Sequence, residues 1–180
     1  MSSAATTKDP ASELRRAFDH LFALPPERKI EQEEALIAIR IGGRPYALRQ
    51  RQILGVARMR RLVPVSSPLS HLAGVTGLRG LVIPVFRMSG FVESREPVNT
   101  PRWLALVDGE AVLGLGFDEF DGQFNVPAQH LYQQANGPES GPVRQVARIG
   151  GVVRPILEAP LIVQQVRAAA QAREKGSEQS

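Results

Sequence analysis

Few side chains in this 180-residue sequence could do chemistry, and they are poorly spaced for it. His20, His71 and His130 lie in unrelated settings, and none stands at metal-ligand spacing from another histidine or an acid. Asp118, Glu119 and Asp121 crowd together and could in principle act as a general acid and base. Adjacent acids on a strand point to opposite faces, however, and such a run more often decorates a surface. No P-loop, dinucleotide fingerprint or nucleophile elbow is present, and there is no cysteine for a disulfide or a thiolate zinc site. The chain therefore reads as a non-enzyme with no metal and no cofactor. What remains is the recognition chemistry of arginine. Residues 35–92 contain no Asp or Glu, yet they hold Arg40, Arg44, Arg49, Arg51, Arg58, Arg60, Arg61, Arg79 and Arg87. The net charge is only +4, because Asp108, Glu110, Asp118, Glu119 and Asp121 follow. A two-ended charge distribution is expected, suited to an acidic partner without naming one.

Arg79 has the most defined setting of these arginines, within Gly74-Val75-Thr76-Gly77-Leu78-Arg79-Gly80-Leu81-Val82-Ile83-Pro84-Val85. Gly74, Gly77 and Gly80 at spacing three predict a compact loop between two strands, with Arg79 where the chain turns. Leu81 to Phe86 is apolar and β-branched, fitting a buried strand, and Pro84, which cannot donate to a ladder, belongs at an edge or a bulge. On the pattern alone, a hairpin holding its arginine in water explains these residues equally well.

The elements that must position this turn are mostly short strands. The segment 35–41, the Gly42-Gly43 turn and residues 45–48 form a first hairpin. Residues 50–56 continue as a strand or a single turn, a second strand is expected over 59–65, and Ser66 to Leu72 reads as a short serine-capped helical turn. Residues 94–101 are the seam between halves. Beyond it, 102–107 and 111–117 pair across Asp108-Gly109, 120–126 is a further strand, 133–142 is a loop, and 143–149 pairs with 152–157 across Gly150-Gly151. Leu161, Ile162, Gln165, Val166 and Ala169 fit a terminal helix that frays into the polar residues 173–180, with 169–180 forming the tail outside the domain. At the other end, Asp9 and Pro10 open a helix whose stripe is Leu14, Ala17, Phe18, Leu21 and Phe22, and a charged linker covers 27–34. Such a pattern predicts a mainly β fold of small barrels with short N- and C-terminal helices. The halves are loosely alike, each ending in a Pro-containing apolar strand, which suggests duplication. Residues 1–11 lack a signal-peptide core and no apolar run reaches membrane-spanning length, so a soluble cytoplasmic protein without membrane insertion is expected.

The order G-V-x-x-L-R-G-x-x-x-P-V at residues 74–85 resembles the signature of CheW-like domains, the adaptor modules of bacterial chemosensory arrays. Gly114-Leu115-Gly116-Phe117-Asp118-Glu119-Phe120 is similar to a second family strand, and Ile156-Leu157-Glu158 to its last one. The resemblance covers residues 35 to about 167. It implies two five-stranded SH3-like barrels facing each other across a shared core, the first at about 35–93 and the second at about 102–160. It also implies a non-catalytic scaffold that couples the cytoplasmic tip of chemoreceptors to the regulatory domain of a CheA-type histidine kinase and that meets other CheW-like domains. Carried over by position, Arg79 is the polar anchor of the receptor contact, while Ile53, Val56, Gly77 and Leu78 belong to the partner-binding groove, with Gly74, Gly80 and Pro84 shaping the turn. Ordinary core remains the alternative for Ile53, Val56 and Leu78. The sequence departs from the family at Gly77, where asparagine is usual, at Arg87-Met88, where Asp-Leu is usual, and at Gly55, where glutamate is common. A divergent member engaging only one partner is thus a second reading. Nucleic-acid binding by a basic barrel is a third, disfavoured because Tyr46 is the only aromatic near the arginine cluster.

Overall fold

The computed structural model describes residues 33–92, 100–134 and 141–177. The expected N-terminal helix and most of its linker lie outside these residues. Glu33 and Glu34, assigned to that linker, instead open the first strand, β1 (Glu33–Ile41). It is followed by β2 (Arg44–Arg49), β3 (Gly55–Arg58), β4 (Leu72–Leu78), β5 (Leu81–Arg87), β6 (Trp103–Val107), β7 (Leu113–Phe117), β8 (Glu119–Pro127), β9 (Leu131–Gln133), β10 (Val143–Ile149) and β11 (Val152–Leu157), then by one helix, α1 (Ala159–Ser177). The fold is mainly β, as expected.

The strands form a six-stranded sheet in the order β8-β1-β2-β11-β10-β9 and a five-stranded sheet in the order β3-β6-β7-β5-β4. The sheets do not divide where the chain does. The opening hairpin of each half, β1-β2 or β6-β7, sits in the sheet otherwise built by the opposite half, joined through the parallel pairs β11-β2 and β5-β7. The boundary expected between 35–93 and 102–160 is therefore not a boundary between sheets. Local periodicity could not show this, because an exchanged hairpin has the same alternation as one that pairs at home.

The exchange gives each central strand two cores to fill. Ile37, Ile39 and Ile41 of β1 enter a large cluster with Leu48, Phe86, Ala105, Leu115, Phe117 and the helix residues Ile162 and Val166. Leu36, pointing the other way, joins Ala47, Val126, Ala147 and Ile156 within the six-stranded sheet. Val85, Leu104 and Ala73 fill the five-stranded one. Two small interiors thus flank one shared core, and β1 is apolar on both faces because both are covered.

Other local expectations change where partners run out. The strand expected over 59–65 does not form, because β3 ends at Arg58 opposite Trp103, the first residue of β6. The segment crosses instead to the free edge of β4, where Val63 and Val75 exchange backbone hydrogen bonds of 2.8 and 2.9 Å. The expected helical turn before β4 is a bend in which the Ser67 hydroxyl accepts from the Leu69 amide at 3.2 Å. β9 was not expected; it pairs Leu131 to Gln133 on β10 and makes the first sheet six strands rather than five. α1 runs past residue 169, where a tail was expected, through Ala168, Ala169, Ala170, Gln171 and Ala172, which favour helix.

Candidate functional site

The β4-β5 hairpin turns in two residues, between the paired Leu78 and Leu81. Arg79 and Gly80 both have positive φ, 51° and 82°, the requirement of a type I′ turn matched to strand twist. Arg79 is thus at the tip, as expected, and its side chain is exposed. The glycine spacing has a different meaning from the one predicted, for Gly74 and Gly77 lie within β4 and only Gly80 is in the turn. Gly74, at φ 143°, lies so close to the crossing segment that a Cβ there would stand 2.1 Å from the Val63 carbonyl oxygen. Pro84 sits in β5 opposite Val75, whose backbone groups are spent on Val63. Its nitrogen therefore faces β7, where pairing begins only at Val85, so the missing donor leaves no gap in a ladder.

The Thr76 hydroxyl donates to the Arg61 carbonyl at 2.6 Å and holds the crossing segment to β4. This bond, the Val63 bridge and the close approach at Gly74 set Arg58 and Arg60 across from Gly77, Leu78 and Arg79, around a concavity of about 360 Å³ lined also by Met59, Thr76 and Leu104. Ile53 and Val56 line a second concavity, of about 650 Å³, with Ala35, Ile37, Leu54, Gly55 and Phe120. The sequence-predicted residues thus fall into two groups flanking β3 and do not share one groove. Ile53 and Val56 also pack against the shared core, so both are partly core residues. Leu54 and Phe120 are members that the sequence reading missed; each is exposed, at 59% and 37%. Phe120 could have been found from the alternation of β8, Leu54 from no local signal.

Electrostatics separate the arginines into two kinds. Arg49, one of the nine arginines in the stretch without acids, is 6% exposed and is the hub of a polar network. Its guanidinium donates to Glu158 at 3.0 Å, to Glu34 and to Gln145, while Gln52 donates to Glu158 and accepts from the Ala159 amide. Burial works against the Arg49 charge, but the hydrogen bonds and charges of Glu34 and Glu158 together outweigh it and push the pKa up. Arg51 pairs with Glu34 at 3.2 Å. Arg40 and the buried Arg154 converge on Asp121, at 3.2 and 2.7 Å, and the Gly42 amide donates to Asp118 at 2.6 Å. Asp118 and Asp121 thus tie the first half of the chain to the second. The charge is not simply two-ended, because chain folding brings acids of the second half onto arginines of the first. Arg58, Arg60 and Arg79 are the other kind, exposed and without a carboxylate partner among the described residues.

His71 stacks edge-on against Phe91 with centroids 5.0 Å apart, and His130 is exposed near β9. His20 lies outside the described residues. Among the described residues no group of His, Asp and Glu could hold a metal ion, and no helix is long and apolar enough to cross a membrane.

A family model described as CheW-like domain matches residues 35–167. Among solved structures, the scaffolding protein TtCheW from Thermoanaerobacter tengcongensis is similar in fold, with a TM-score of 0.61 over 70% of this chain and 89% of that one at 13% sequence identity. No curated protein matches the chain significantly.

Proposed function

This chain belongs to the CheW-like domain family, and from that premise we propose that it is a non-catalytic cytoplasmic adaptor that holds chemoreceptor tips and a CheA-type histidine kinase in register. The observation that carries this reading is the family match across residues 35–167, with Arg79 standing exposed at the tip of the family's Leu-Arg-Gly turn. An adaptor needs no reactive group. It needs a stiff body and surfaces that lose little entropy on binding, and two sheets packed on one shared core suit that.

The concavity of Ile53, Leu54, Val56 and Phe120 would accept the apolar face of a helical partner, with most of the gain from burial at its centre. Arg79 would be the polar anchor at the neighbouring site. Calorimetric titration of the full chain with a receptor signalling tip, and separately with a kinase regulatory domain, tests the proposal. Arg79→Ala is expected to weaken receptor binding by about 1–3 kcal/mol, roughly five- to two-hundredfold. Binding of neither partner by the wild-type chain would remove the adaptor reading.

A second reading, a member that engages only one of the two, is favoured by Gly55 and Arg87. Arg87, where the family usually has an acid, is half-buried with its guanidinium 3.5 Å from the Leu72 carbonyl, and it offers no carboxylate to a partner. Binding of one domain and not the other in the same titrations would select this reading.

A further inference from the structure

We infer that the concavity between β3, the crossing segment and the β4-β5 turn is a docking site for an acidic protein segment, one that presents carboxylates with apolar side chains between them. Arg58, Arg60 and Arg79 line it, and among the described residues no acid does. Its apolar lining is Met59, Leu78 and Leu104. Arg40, Arg49, Arg51 and Arg154 each hold a carboxylate, so this fold does pair arginines where acids are in reach; what distinguishes Arg58, Arg60 and Arg79 is that three exposed guanidiniums line one concavity. Like charges gathered without counter-charges repel one another, and an incoming carboxylate relieves that repulsion while accepting two parallel hydrogen bonds from a guanidinium fork.

The backbone supplies an independent observation. Arg79 has φ 51° at a turn position that favours Asn, Asp or Gly, and holding a long side chain there costs on the order of 1 kcal/mol. The cost places a guanidinium at the mouth of the concavity. Gly77, beside it in β4, leaves open space where a Cβ would stand, so a partner's backbone can come close. A nucleic acid is the poorer fit, since among the described residues the lining holds no aromatic ring on which a base could stack.

The inference deepens the adaptor reading, on which it rests for the partner being a protein, and it adds Arg58 and Arg60 to the site. The test uses the full chain and a fluorescent synthetic peptide of alternating leucine and glutamate, a counterpart with glutamine for glutamate, and an oligothymidine. The glutamate peptide should bind at low salt and weaken as salt is raised, and the glutamine peptide should bind at least about tenfold more weakly. Arg58→Gln and Arg60→Gln should each weaken the glutamate peptide by about three- to tenfold, whereas Arg148→Gln, at an exposed position of β10, should not. Arg79→Asn should weaken binding while raising Tm by roughly 2–4 °C, a combination that a merely structural arginine would not produce. Equal binding of both peptides, or unchanged binding by the Arg58→Gln/Arg60→Gln variant, would overturn the inference, as would tighter binding of oligothymidine. Receptor tip and kinase domain titrated against the same double variant separate the two claims. If every partner that binds wild type binds the double variant as tightly, the adaptor reading stands and the arginine site fails. If neither binds wild type while the peptide does, the reverse holds.

Discussion

Arg49 shows how much a single side chain holds in this fold. It reaches Glu34 at the start of β1, Gln145 in β10 and Glu158 just ahead of α1, so one guanidinium ties three distant segments together. Removing it would leave two carboxylates, each only about a fifth exposed or less, short of their main counter-charge. Glu34 would retain Arg51, and Glu158 would retain Gln52, which limits the loss. Arg49→Ala is therefore expected to lower unfolding free energy by about 2–3 kcal/mol, read by urea denaturation. A raised folded-state pKa makes this contribution fully present below the unfolded pKa and lost only as pH rises through the folded one. For an arginine that window is strongly alkaline, so Arg49 should add no pH dependence to stability between about pH 6 and 9.

At the scale of elements, β5 and β11 are built alike. Each follows a turn of two positive-φ residues, Arg79-Gly80 or Gly150-Gly151, each exposes its first two apolar residues, and each has proline fourth. Parallel pairing starts at the residue after that proline in both, at Val85 and at Ile156. The duplication read weakly in the sequence thus has a concrete form in two equivalent hairpins. The glycines of β4 give the sharpest test of element-level packing. Gly74→Ala would drive a Cβ into the Val63 backbone at a φ that disfavours it, and should destabilise by about 3 kcal/mol or more. Gly77→Ala meets open space at ordinary φ and should be neutral or stabilising by up to about 1 kcal/mol. Thermal melts of the two variants distinguish a packing glycine from one that only keeps a surface clear.

For the whole molecule, the shared core decides cooperativity. It takes Ile39 and Leu48 from one sheet, Phe117 and Leu115 from the other and Ile162 from α1, all essentially without solvent exposure. Neither sheet can open without uncovering the other. Unfolding should therefore be a single transition, with Trp103 fluorescence, which reports the five-stranded sheet, coinciding with far-ultraviolet circular dichroism, which reports both. Leu48→Ala should lower stability by about 2–5 kcal/mol and shift both probes together, even though Trp103 belongs to the other sheet.

By itself the chain's residue order determined most of the strands, the Arg79 turn and the family. These follow from alternation, from glycine pairs that admit positive φ and from a contiguous motif, all readable within about a dozen residues. Tertiary structure alone decided which sheet each hairpin joins, that residues 59–65 cross to β4, and which arginines are spent on carboxylates. Those outcomes depend on segments far apart in the chain meeting in one register: Arg49 finds Glu158 and Arg154 finds Asp121, while Arg58, Arg60 and Arg79 find no carboxylate among the described residues.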